Sequence, residues 1–499
     1  MRVVVREKTH HHVIVIGTGF AGLGMAIRLL QHGMTDFVVL ERAADVGGTW
    51  RDNRYPGCAC DVPSALYSFS FELNPSWSCS FSSQREIWDY LRRCAQRYGV
   101  TPRIRFHHEV LAAAWEHSRH RWRVTTNRGE LSCDVLITGT GGLSEPKIPD
   151  LPGLESFQGK VFHSARWDLD YDLRDRRVAV VGTGASAIQF VPRIQPTVGS
   201  LTIFQRTPAW IMPRGERCIR DVEQRLYRAI PGLQRLVRAG IYCGRESLVP
   251  GFVMSPRLLT AAERIARAHL RRHIADPELR AKLTPEYTIG CKRILISNDY
   301  LPALTRPNVE LIDSGITRLG VDWVQAADGT RREVDVVIFG TGFRVTEAPM
   351  ATWIHGRDGR TLAEVWSGGA QAHRGTTVAG FPNLFMLVGP NTGLGHTSMI
   401  YMIESQIAYV LDALRYLHRS GAAAVEVRPE AQRAYNQTLQ RRMRGTVWTT
   451  GGCASWYLDA HGRNTTLWPT FTWRFRRVTR AFRPAEYVIH THSSHPVAA

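Results

Sequence analysis

Two glycine-rich turns constrain this chain more than any other feature. The first is Gly17-Thr18-Gly19-Phe20-Ala21-Gly22, directly after the apolar run Val13-Ile-Val-Ile16. Such a run has the character of a buried parallel strand. A helical pattern follows from Leu23 to His32 and stops at Gly33. Phe37-Val-Val-Leu40 then reads as a second strand, closed by Glu41. Strand, glycine turn, helix, strand and acid together form the unit that binds a dinucleotide. Gly17 permits the tight turn, Gly19 lets backbone approach a pyrophosphate, and Gly22 lets helix pack on strand. The helix start offers unpaired N–H groups and a positive dipole end to phosphate. Glu41 is placed to accept hydrogen bonds from ribose hydroxyls.

The unit recurs. Arg177-Val-Ala-Val-Val181 reads as a strand and Gly182-Thr183-Gly184-Ala185-Ser186-Ala187 as the turn. A helix is expected from Ile188, with Gln189 in its first turn, and a second strand over Leu201–Phe204. That strand ends in Gln205-Arg206-Thr207, with no acid. An acid repels a 2′-phosphate, whereas arginine pairs with one in fork geometry. The first site is therefore expected to hold FAD and the second NADPH. Two different dinucleotides on one chain imply electron transfer between them.

The expected fold is α/β, with two Rossmann-like domains. Cys133–Gly141 and Asp335–Phe343 both run from strand into glycine turn, as crossings between the domains would. The division predicted is an FAD-binding part over 1–149, an NADP-binding domain over 150–214 and 287–343, and a helical insertion over 215–286. Residues 344–499 would complete the FAD domain and add a substrate-side segment. The NADP domain is thus nested in the FAD domain. Gly389-Pro-Asn-Thr-Gly-Leu-Gly-His396 precedes a helical pattern from Thr397 to Arg419 and is a candidate seat for the flavin ring.

Composition agrees with a folded enzyme. In 499 residues, 44% are hydrophobic and 21% charged, enough for several cores. This excludes a collagen, a disordered tail and a disulfide-stapled miniprotein. No apolar run nears the ~18–20 residues that span a bilayer, and Met1–His12 lacks a signal-peptide core. A cytoplasmic protein is expected. The net charge of +19 is spread along the chain and is overwhelmingly arginine. It fits phosphate-bearing cofactors, and no nucleic-acid motif accompanies it. The nine cysteines are scattered, with only Cys58 and Cys60 close, so no zinc site is predicted and reduced thiols are expected. His10-His11-His12 reads as a polar lead-in to a strand at Val13.

Two further segments resemble the fingerprints of the type I Baeyer–Villiger monooxygenases. Phe157-Gln-Gly159-Lys-Val-Phe-His163-Ser-Ala-Arg-Trp167-Asp168 follows F-x-G-x3-H-x3-W-[PD]. Gly47-Gly48-Thr49-Trp50-Arg-Asp-Asn-Arg-Tyr55-Pro56-Gly57-Cys-Ala-Cys-Asp61 follows [AG]-G-x-W-x4-[FY]-P-[GM]-x3-D. The resemblance runs from about residue 12 to about 490. It implies FAD contacts at Glu41, Thr49, Trp50, Asp61, Tyr67, Val110 and Met399. It implies NADP contacts along Thr183–Gln189 and at Arg206, Thr207 and Lys292, with Trp456 beside the nicotinamide ribose. It makes Arg293 the catalytic arginine, oriented by Asp61, and gives His163 a conformational role at an interdomain linker.

The implied reaction uses NADPH and O2 to insert oxygen beside a ketone carbonyl through a C4a-peroxyflavin, giving an ester or lactone. The partners expected are a small-molecule ketone and O2. Near the C-terminus, Leu458-Asp-Ala-His-Gly-Arg-Asn-Thr-Thr-Leu-Trp-Pro469 replaces the P-G-K-like turn of the cyclic-ketone members, so substrate class is not inherited from them. The competing reading is an N- or S-oxygenating flavin monooxygenase, which usually carries Tyr or Phe in place of Trp167. A disulfide reductase shares the two fingerprints but needs a different cysteine spacing from Cys58-x-Cys60.

Overall fold

The computed structural model describes residues 8–346 and 348–491. The first seven residues of the Met1–His12 lead-in lie outside them. Two sheets organise the chain, one mixed and one parallel. The first places His10–Ile16 between Phe37–Leu40 and Gly129–Thr138, with Ile104–Arg105 beyond Phe37–Leu40. Leu384–Met386 pairs parallel to Gly129–Thr138. The antiparallel strands Val110–Glu116 and Arg121–Thr126 extend the other edge. The second sheet sets Arg177–Val181 between Ser200–Phe204 and Val336–Phe339, flanked by Val309–Ile312 and Lys160–His163.

Alternation explains why the central strands are apolar on both faces. Val13 and Val15 enter one core while Ile14 enters another on the opposite side. Val178 and Val180 likewise separate from Ala179 and Val181. A strand buried on both faces reads as a continuous hydrophobic run, which is how these two appear in the sequence.

The two chain crossings lie side by side. Lys147 N–H donates to Gly342 O at 2.9 Å, and Arg344 N–H to Glu145 O at 3.0 Å. His163 is buried against this linker, its ring 5.9 Å from Phe343. Burial pulls its pKa down to about 4, against a backbone contact at Gly342, so the ring is neutral at pH 7. Trp167 packs 5.0 Å from Phe162 and 5.2 Å from Phe190, which anchors the fingerprint in the core of the second sheet.

Between the sheets' sequence segments come the helices Asp221–Ala229, Pro231–Glu246, Val249–Val253, Thr260–His273 and Pro277–Lys282. The long helix Met399–Ser420 packs on Phe20–Gln31 of the first fingerprint. No helix among the described residues is long and apolar enough to cross a membrane.

Two sequence expectations are corrected. The histidines do not precede the first strand but open it, because their alternate side chains find partners there. His10 Nδ1 lies 2.9 Å from Ser132 Oγ, and His12 Nδ1 lies 2.9 Å from Asp134 Oδ2. The cysteines are not all reduced: Cys291 and Cys453 form a disulfide, with Cα atoms 6.1 Å apart and 162 residues between them. Spacing along the chain carries no signal for a pair that only folding brings together.

Candidate active site

The first glycine turn is shaped as a phosphate cradle. Gly17 has φ +95°, and a Cβ there would stand 2.7 Å from Gly139 O. A Cβ on Gly22 would fall 1.8 Å from Gly17 O, an impossible approach. Gly19 faces open space, its nearest obstacle being Gly48 Cα at 3.8 Å. Backbone N–H groups are thus left accessible at the start of the Phe20–Gln31 helix, as an anion site requires. Glu41 is buried at the strand end. Its Oε2 accepts from Thr18 N (3.1 Å) and Thr18 Oγ1 (2.5 Å), and its Oε1 lies 2.9 Å from Arg51 Nη1. Glu41 therefore organises the turn as well as ending the strand.

Gly47 (φ +131°) and Gly48 (φ +51°) lead into the single turn Thr49–Asp52. Trp50 Nε1 donates to Tyr67 Oη at 3.1 Å, with the rings edge to face at 5.3 Å. Tyr67 in turn packs 5.2 Å from Phe20 of the cradle. Thr49, Trp50 and Tyr67 are thereby joined to Gly17–Gly22. Val110 opens a strand opposite Thr126. Met399 opens the long helix behind Ser398, whose Oγ accepts from Ile400 N at 3.2 Å.

The second turn repeats the geometry. Gly182 has φ +101°, with Gly340 O 2.8 Å from its virtual Cβ, and the virtual Cβ of Gly184 meets nothing nearer than Gly340 O at 3.9 Å. Gly184 and Ala185 are exposed, Thr183 is nearly buried, and Ser186 precedes the Ala187–Ile194 helix. Ala187 and Ile188 face the core of this sheet. Gln189 bridges to the first fingerprint region. Its Oε1 accepts from Tyr55 Oη (3.0 Å) and Ala59 N (3.3 Å), and its Nε2 donates to Ala59 O (3.0 Å).

Arg206 and Thr207 are exposed at the end of the second strand. Lys292 stands near enough to Arg206 to feel its charge. Burial lowers the Lys292 pKa, and the Arg206 guanidinium lowers it further. The ammonium lies 5.0 Å over the Tyr287 ring. Two cations near enough to repel one another carry the charge that a phosphate dianion would pair with.

Between the two turns lies an ion pair. Arg293 Nε donates to Asp61 Oδ2 at 2.5 Å and Arg293 Nη2 to Asp61 Oδ1 at 2.6 Å. Both side chains keep part of their surface open, 29% for Arg293 and 26% for Asp61. Burial pushes the Asp61 carboxyl up, but the Arg293 charge and its hydrogen bonds outweigh burial and hold it below the usual range. Asp61 raises the Arg293 pKa further, against burial. The guanidinium is fixed, permanently charged and aimed. Its Nη1 lies 3.5 Å from Leu394 O, within the loop that the sequence marks as the flavin seat.

That loop is tightly held. Val388 has φ +63°, a conformation costly for a β-branched residue. Val388 N–H donates to Gln406 Oε1 at 2.9 Å, and Asn391 Nδ2 donates to Asn464 O and Leu467 O, both at 2.9 Å. The Cys291–Cys453 bridge ties the Lys292-Arg293 segment to the chain leading into Trp456. Trp456 itself is 46% exposed. Its neighbour Tyr457, absent from the sequence-based set, is the buried one. The Tyr457 pKa is pushed up to about 12 by burial, with Arg293 lowering it and Asp61 raising it. Its hydroxyl has no hydrogen-bond partner among the described residues. Only the Ser-Trp-Tyr context pointed near it.

Two dinucleotide folds with unlike nucleotide ends, meeting at a guanidinium–carboxylate pair, define a flavoprotein oxidoreductase. The pyridine nucleotide-disulphide oxidoreductase family matches residues 14–214, the stretch carrying both glycine turns. Among known proteins, a Baeyer–Villiger monooxygenase of Streptomyces coelicolor is 56% identical over 97% of this chain and 94% of its own. Another from Pseudomonas aeruginosa is 51% identical over 97% and 92%. Among solved structures, NADP+-bound cyclohexanone monooxygenase from Rhodococcus sp. Phi1 superposes with a TM-score of 0.87 at 28% identity, covering 97% of this chain and all of that one. The chain belongs to the Baeyer–Villiger monooxygenases. It is an NADPH- and FAD-dependent flavoprotein monooxygenase built on two Rossmann-like folds.

Proposed function

We propose that the chain converts a ketone to an ester or lactone, with Arg293 as catalytic residue and Asp61 as its positioning partner. The net change is ketone, O2, NADPH and a proton giving ester, NADP+ and water. The observation that carries this reading is the two-pronged Arg293–Asp61 pair, open to the space beside Leu394. Bound FAD, reduced by NADPH, supplies the two electrons that activate O2.

The residues present fit these cofactors. Gly17, Gly19, Gly22 and Glu41 would hold the FAD phosphates and ribose, with Thr49, Trp50, Asp61, Tyr67, Val110 and Met399 along the rest of it. Thr183, Gly184, Ala185, Ser186, Ala187, Ile188 and Gln189 would cradle the NADP pyrophosphate. Arg206, Thr207 and Lys292 would take the 2′-phosphate, and Trp456 the nicotinamide side. In this reading residues 150–214 and 287–343 form the NADP domain, nested between 1–149 and 344–499, with 215–286 inserted. The chain would work in the cytoplasm.

Arg293 acts on charge. Oxygen transfer to a carbonyl builds negative charge on the carbonyl oxygen, and a fixed guanidinium lowers that barrier without reorganising. Asp61 keeps the fork oriented. The strained Val388 loop and the buried aromatic wall of Phe252, Trp448 and Tyr457 keep water from competing. The test is NADPH consumption with product identification across linear, cyclic and aryl ketones and matched sulfides. Ester or lactone is expected; oxygenation confined to sulfides or amines would overturn the reading.

A further inference from the structure

A second arginine, on the helical insertion, lies within electrostatic reach of the Arg293–Asp61 pair. Arg245 lies in the last turn of the Pro231–Glu246 helix. That helix end is firmly placed by its neighbours. Glu246 is buried, its Oε1 accepting from Thr472 Oγ1 at 2.7 Å and lying 3.0 Å from His396 Nε2. Its Oε2 accepts from Thr472 N at 3.0 Å. Tyr242, one turn earlier, lies 2.9 Å from Thr472 Oγ1 and stacks on Tyr401 at 5.1 Å. The helix is thus locked to the flavin-seat loop through His396 and to the C-terminal segment through Thr472.

Arg245 itself is partly buried, with no hydrogen-bond or ion-pair partner among the described residues. Burial lowers its pKa; of the charges that act on it, Asp61 raises and Arg293 lowers it. Asp61 feels Arg245 in return. Arg238, two turns back, shows the contrast. Its guanidinium donates to Ala65 O at 2.7 Å, to Ser68 O at 3.0 Å and to Ser68 Oγ at 3.2 Å, so it is spent on structure.

The charges at the site do not cancel. Asp61 is engaged by both prongs of Arg293, which leaves Arg245 without a counter-ion or acceptor among the described residues. A half-buried guanidinium in that state is costly unless a ligand completes it. We infer that Arg245 is a specificity-determining residue that binds a carboxylate carried by the substrate, so that oxo acids are preferred over neutral ketones. This rests on the ketone reading above. The planar fork matches a carboxylate in two-point geometry, and an oxo acid is ionised at neutral pH. The location agrees. Glu246, the next residue, is held by Thr472 and His396, and the loop that carries His396 bridges at Gly393 to Leu467, in the Leu458–Pro469 segment where the sequence departs from the cyclic-ketone members. Arg293 would face the carbonyl and Arg245 the acid end, and the gap between them would select chain length.

The test compares an oxo fatty acid with its methyl ester on the FAD-loaded enzyme. Dissociation constants are read from flavin absorbance with NADP+ present, and kcat/KM from product formation. The unmodified enzyme should prefer the acid. Arg245→Met should lower the acid-over-ester ratio roughly 10- to 100-fold in both readouts, the range of a lost charge-assisted hydrogen bond. Arg245→Lys should retain part of the preference. Equal losses for acid and ester would place Arg245 with Arg293 in the chemistry and overturn the inference. A change in the KM for NADPH alone would assign it to the cofactor and do the same. Acid-selective binding with no ester or lactone from any ketone would uphold the anion site while sinking the ketone reading.

Discussion

Arg293 and Asp61 stand 232 residues apart in the chain and meet through two hydrogen bonds, at 2.5 and 2.6 Å. The geometry fixes the plane of the guanidinium and leaves Nη1 turned toward Leu394 O. A single-point contact would leave that plane free to rotate.

Arg293→Ala should separate reduction from oxygen transfer. NADPH oxidation should persist while ester formation falls by ~100- to 1000-fold, the usual result of removing one oxyanion donor. Arg293→Lys should recover little, because an ammonium cannot form the two-pronged contact with Asp61. Stopped-flow absorbance of both half-reactions with product analysis checks this; an unchanged ester yield in Arg293→Ala would move the catalytic role to another group.

The Asp61 carboxyl sets a definite acid limit. Its folded pKa lies below the unfolded value of ~3.9. The pair's stability is therefore complete above that unfolded value and is lost as pH falls through the lower folded value. Thermal unfolding of the unmodified protein and Asp61→Asn should differ by a constant amount from pH 8 to about 5. The gap should narrow below about 4. A gap that changes near neutral pH would mean another group controls the pair.

Arg206→Ala and Lys292→Ala should each raise the KM for NADPH by roughly tenfold or more and leave that for NADH nearly unchanged. Steady-state kinetics with both nucleotides measure this. Equal KM values for the two in the unmodified enzyme would remove the 2′-phosphate assignment.

Gly22→Ala should yield a protein without yellow colour, because the new methyl would overlap Gly17 O. Flavin absorbance and FAD titration provide the readout. Full FAD uptake by the variant would show that the cradle closes differently.

Thiol counting tests the disulfide. Of the nine cysteines, seven are free. The denatured, unreduced protein should therefore react with seven equivalents of thiol reagent and, once reduced, with nine. Nine before reduction would mean that Cys291 and Cys453 stay apart.

Much of the frame is legible in the sequence because it is local. Phe37–Leu40 and Arg177–Val181 form the strands their apolar runs suggest, and each glycine turn carries its own geometry. Asp61 and Arg293 came from the resemblance, since nothing in either segment alone names the other. The strand Val110–Glu116 gives little strand signal: Ala112-Ala113-Ala114 favours helix, and pairing with Arg121–Thr126 on one side and Ile354–His355 on the other decides the outcome. Arg245 was hidden for a different reason. It is one of many arginines, and what distinguishes it is partial burial within electrostatic reach of Asp61 and Arg293 with no acceptor among the described residues, which only three dimensions reveal. Tyr457 was overshadowed by Trp456, because sequence shows two adjacent aromatics and not which one turns inward.

The Cys291–Cys453 link has a consequence for descent. Losing either cysteine alone would strand a thiol beside an oxygen-activating centre, where sulfur oxidises readily. Losing both leaves an ordinary packing contact between Gly451 and the side chain at 291, which sits where a Cβ on Gly451 would stand. Substitutions at these two positions should therefore travel together through the lineage, so that relatives hold both cysteines or neither.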